Sequence, residues 1–84
     1  MEVKINRCDG LDGFLASRNM SIHDRKHGVM LIRTNPLNKD ADDDIATVVA
    51  TLVMLNSELR VSALSVIPAS DGVAGAIVVF EPKA

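Results

Sequence analysis

The segment DADDDIATVVATLVMLNSELR, residues 40–60, decides the fold. Four aspartates (Asp40, Asp42, Asp43, Asp44) precede an apolar run from Ile45 to Leu55. Within it Ile45, Val48, Val49, Leu52, Leu55 and Leu59 recur at helical spacing, which predicts one long helix over about residues 40–60 with this stripe on a sheet. Asp40 is the expected N-cap, with Asp43 at the third helical position in a capping-box-like arrangement. Negative charge in the first turn suits the positive end of the helix dipole.

That helix carries too little polar surface. Ala46, Ala50, Val53 and Ser57 lie beside the main stripe at spacings of three and four. Small residues there would let another backbone come close, as in a contact with a second copy or another protein; a core flank touching a loop is the alternative. Thr47, Thr51 and Glu58 leave only a narrow, weakly charged polar stripe.

Beyond Arg60 the apolar period changes to two, predicting a strand over Val61 to Ile67, ended by Pro68. Ser70-Asp71-Gly72 is a hairpin signal, and Val73 to Glu81 is the returning strand, ended by Pro82. Gly75 interrupts that strand and predicts a bulge or a close backbone approach. On the N-terminal side, Asn35-Pro36 ends a strand over Val29 to Thr34. Val29-Met30-Leu31-Ile32 is apolar on both faces, so this strand is expected inside the sheet. A short strand over Met20 to His23 precedes it, with Asp24 to Gly28 as the turn. Met1 to Arg7 alternates and reads as a half-buried strand. Asp9-Gly10 and Asp12-Gly13 are turn signals, while Phe14, Leu15 and Arg18 fit one short helical turn.

The sum is an α+β fold: a mainly antiparallel sheet of four to five strands with one long helix packed on one face. One helix covers one face at most. Val29–Ile32 and Ala76–Phe80 therefore imply a cover for the second face: a second copy, a partner, or the Gly10–Met20 segment.

Eighty-four residues make one small domain, residues 1–84. Apolar residues form 48% of the chain, yet the aromatics are only Phe14 and Phe80, so the core must be aliphatic. The net charge of −2 is not that of a dedicated nucleic-acid binder. The single cysteine, Cys8, precludes an intrachain disulfide and fits a reducing compartment. The N-terminus lacks a secretion-signal core, and the longest apolar run is about half of a membrane span. A soluble, cytoplasmic protein with no membrane association is expected.

No motif carries recognisable chemistry, so no catalytic residue, metal ligand or cofactor is assigned. Asp40, Asp42 and Asp44 match the first, third and fifth positions of a calcium loop, but Ile45 stands where glycine is needed and Thr51 where glutamate is needed. Helix capping accounts for them more simply. His23 and His27 have the spacing of a helical metal pair, but their neighbours place them in a loop. Cys8 has no predictable activating partner except nearby Arg7. Arg18, Arg25, Lys26 and Arg33 make the middle third basic and could contact phosphates, although no stacking aromatics accompany them.

The functional expectation is a small non-enzymatic protein–protein interaction module, acting by binding or occluding a partner and forming a homodimer. The alternatives are nucleic-acid or anion binding through residues 18–33, and a metal- or thiol-dependent enzyme.

Overall fold

The computed structural model describes residues 3–83. Its sheet has four strands: β1 (Ser21–Asp24), β2 (Val29–Arg33), β3 (Leu59–Ala69) and β4 (Gly72–Pro82). They lie in the order β1-β2-β4-β3, and every neighbouring pair is antiparallel. Two helices, α1 (Asp9–Ser17) and α2 (Ala41–Leu55), contribute to one core with the sheet. The α+β class holds, with β2 interior as its two-sided apolar sequence implies.

Side chains alternate between the faces of a strand. Met30 and Ile32 of β2 pair with Val78 and Ala76 of β4, and all four are buried, with Phe80 beyond them. They form the floor of the core. Ile45, Val48 and Leu52 of α2, with Leu11 and Leu15 of α1, form its roof. The predicted α2 stripe thus reaches the sheet. The Gly10–Met20 segment does not cover the second face: it supplies α1 and Met20 to the same core.

The helix ends earlier than its apolar period suggests. The Asn56 side-chain amide donates to the Leu52 carbonyl (2.8 Å), capping the last turn. Leu59, counted in the helical stripe from sequence, opens β3, where it is still buried. Ser57 is likewise in the connecting turn and not on the helix. At the other end Asp40 holds the N-cap position, but its carboxylate makes no capping bond, so the capping box is absent. Asn38 ties this end instead. Its side-chain oxygen accepts from the Asp40 amide (2.9 Å) and its nitrogen donates to the buried Asp44 carboxylate (2.8 Å).

Met1 and Glu2 lie outside the described residues, and residues 3–7 form no strand. Their alternation is nevertheless real: Val3 and Ile5 pack against the core. Asn56 stands in for a neighbouring strand, since its side-chain oxygen accepts from the Asn6 amide (2.7 Å) and its nitrogen donates to the Asn6 carbonyl (3.0 Å). One buried asparagine therefore closes the helix and holds the preceding segment.

The long hairpin β3–β4 turns at Ser70-Asp71, with Gly72 opening β4, inside the Ser70-Asp71-Gly72 signal of the sequence. Strand β3 runs past the predicted stop, with Pro68 still paired to Val73 across a register shift. Gly75 marks a close approach: a Cβ there would overlap the Ile32 carbonyl oxygen. Gly28 serves the same purpose at the other end of β2, where it has φ 79° and a Cβ would strike the Phe80 carbonyl oxygen.

Candidate interaction surfaces

The back of the sheet is set by the same alternation. Val29 and Leu31 of β2 pair with Val79 and Ile77 of β4, and Ala63 and Ile67 of β3 continue this face outward. Neither helix reaches it. The apolar centre is half-buried by its own neighbours, apart from the more open Ile77 and Ala63. Polar groups rim it. His23 lies on β1, where its Nε2 meets the Ser21 hydroxyl (3.0 Å). Arg33 stands at one end of β2, and the Arg60–Glu81 ion pair at the far end of the hairpin. An apolar centre with a polar rim is the anatomy of a protein-binding surface.

A second apolar strip lies on the outer side of α2. Ala46, Ala50 and Val53 are exposed there, and Met54 beside them is 82% exposed. Ala50 is therefore not core. Ser57 is exposed in the turn beyond the helix.

A third open region is the outer strand. Leu64 and Val66 of β3 pair with Val78 and Ala76, so they share the helix-facing side of the sheet. They remain 44% and 52% exposed.

The four basic side chains do not gather into one patch. Arg18 turns to α2: its guanidinium approaches the buried Asp44 carboxylate (3.5 Å) and lies over the Phe14 ring. Arg33 is at the opposite end of the β1–β2 hairpin from Arg25 and Lys26, and serves as rim of the sheet back. Arg25 and Lys26 line a shallow concavity with Lys4, Asp24 and His27. His27 adopts a left-handed backbone (φ 64°) in the turn, a region histidine enters more readily than most residues.

The remaining candidates occupy local structural roles. Asp44 is held by Asn38 and Arg18, while Asp42 and Asp43 are exposed in the first turn of α2. Cys8 stands at the N-cap of α1 and packs against the core. Among the described residues, no three His, Cys, Asp or Glu side chains converge as metal ligands, and every buried side-chain nitrogen and oxygen has a hydrogen-bond partner. No helix among them is long and apolar enough to cross a membrane.

Sequence reasoning anticipated an uncovered sheet face but missed the exposure of Leu64 and Val66. Alternation says which face a side chain takes, not how far a helix layer extends over it. Comparison with protein-family models, curated proteins and solved structures returned no match.

Proposed function

We propose that this chain is a non-enzymatic interaction module that works as a homodimer and binds or occludes a protein partner. The observation that carries this reading is the bare sheet back. Leu31, Ile77 and Val79 sit on the two inner strands of the sheet, and among the described residues neither helix lies over them. Such a surface gains free energy by being covered, at about 25 cal/mol per Å² of apolar area removed from water. The rim charges Arg33, Arg60 and Glu81 would orient a partner more than hold it. The strip of Ala46, Ala50 and Val53 on α2 is a second site of contact within the same reading.

Sedimentation equilibrium followed by pull-down from the native host tests this. A concentration-dependent dimer is expected. Capture of a partner should be lost in Ile77→Lys and retained in Ala50→Glu if the sheet back is the docking face; the opposite pattern assigns docking to the helix strip. Capture unaffected by both substitutions refutes binding through either surface.

The concavity lined by Lys4, Arg25, Lys26 and His27, with Asp24 as its one acidic group, supports anion or nucleic-acid binding as a second reading. A salt series separates the two, because phosphate contacts weaken steeply as salt rises and apolar contacts do not.

A further inference from the structure

We propose that β3 pairs edge to edge with β3 of a second copy, antiparallel about a two-fold axis at Ser65. This rests on the self-association reading above and names its surface.

Strand β3 is an outer strand of the sheet and spans eleven residues, against four for the other outer strand, β1. Its outer side presents unpaired main-chain groups, which in an exposed strand are a template for another strand. Proteins usually guard such edges with charge. Here no charged residue occurs between Arg60 and Asp71.

The interruptions in β3 fix the register. A bulge falls at Ser62, between Val61 and Ala63, and Pro68 lacks an amide hydrogen to donate. Between them lies the regular segment Ala63–Ile67, whose midpoint is Ser65. A two-fold axis at Ser65 uses all of this segment. Ser62 of one copy then faces Pro68 of the other, so the two irregular positions meet each other and disturb no regular pair.

Side chains agree with that register. Leu64 of each copy meets Val66 of the other on the helix-facing side, covering the two residues that the helices leave open. Ala63 meets Ile67 on the back. Arg60, paired with Glu81 in its own copy, falls opposite Ser70 of the second copy and one residue from Asp71, so no like charges meet at either end of the seam. A second copy is favoured over an unrelated strand because every position from Val61 to Ala69 finds an apolar or neutral counterpart across this axis. The axis runs perpendicular to the sheet. Both helix layers then lie on one side, and the two bare backs join into a single eight-stranded apolar surface.

The test uses the full chain. In a Cys8→Ser background, Ser65→Cys places a thiol opposite its own copy, at the roughly 4.5–5.5 Å Cβ separation of directly opposed residues, near the reach of a disulfide. Mild oxidation should cross-link it nearly completely. Ser70→Cys in the same background, exposed but off the axis, should cross-link at least tenfold more slowly. Independently, Leu64→Lys should weaken dimerisation at least tenfold by sedimentation while circular dichroism stays unchanged. If that variant fails to fold, the cross-linking comparison still decides. A dimer that ignores Leu64→Lys and cross-links no faster through Ser65→Cys than through Ser70→Cys overturns edge pairing while leaving self-association standing. A wild-type chain that stays monomeric at high concentration overturns both.

Discussion

The two strands of the long hairpin are equal in length and similar in composition, yet they live in different environments. In β4, Ala76, Val78 and Phe80 are wholly or almost wholly buried. The β3 partners of Ala76 and Val78 on the same side of the sheet, Val66 and Leu64, are about half open to water, and only Val61, opposite Phe80, packs against the core. Apolar character does not separate the two strands; position does. Strand β4 has a strand on each side and helices above, whereas β3 has one neighbour and lies beyond most of the roof. The fifteen-residue α2 is about 22 Å long, and strands of eleven residues extend about 36 Å, so a helix roof of this size cannot cover the hairpin from end to end.

The largest expected effect is on the inner strand. Phe80→Ala removes the largest fully buried side chain and should destabilise the monomer by about 3–5 kcal/mol, measured by denaturant unfolding at low protein concentration. Gly75→Ala probes the backbone of the same strand. The added methyl collides with the Ile32 carbonyl of β2 and should cost about 1–3 kcal/mol through forced separation of the strands. A loss near zero would mean that β2 and β4 yield easily.

Asn56→Ala sharpens the comparison from outside the sheet. Residues 3–7 alternate as β4 does, but a side chain holds them in place of a strand. Removing that amide should cost about 1–3 kcal/mol, and amide exchange should accelerate at Asn6 well before it does in β4. The smallest effect belongs to the outer strand. Leu64→Ala should change monomer stability by less than about 0.5 kcal/mol. A loss as large as that for Phe80→Ala would erase the distinction between the strands.

Much of this fold was legible in particular residues. Asp71-Gly72 announced the hairpin, the switch in apolar period separated α2 from β3, and Gly75 signalled a close approach. The boundary between helix and strand was misplaced because Leu59 satisfies both periods, and the residue that decides it, Asn56, acts through its side chain. The N-terminal alternation described half-buried extended chain but could not say what pairs with it, because the answer lies fifty residues away. Helix α1 was hidden by Gly10 and Gly13, which usually signal turns. Leu11, Phe14 and Leu15 carried the helical spacing, with Asp9 and Asp12 as its acidic first turn. The interaction surfaces were only half legible. The apolar surplus showed in the sequence, but its division among the sheet back, the α2 strip and the rim of β3 depends on how far two short helices extend over the strands.

The amide bridge between Asn6 and Asn56 also orders events during synthesis. The segment it secures leaves the ribosome fifty positions before the asparagine that receives it, a delay of roughly 3–10 s at ordinary translation speeds. Throughout that interval Val3 and Ile5 have no seat. The segment around Asn6 is thus among the last to dock, and it stays open to chaperones or proteases until its distant clasp is made.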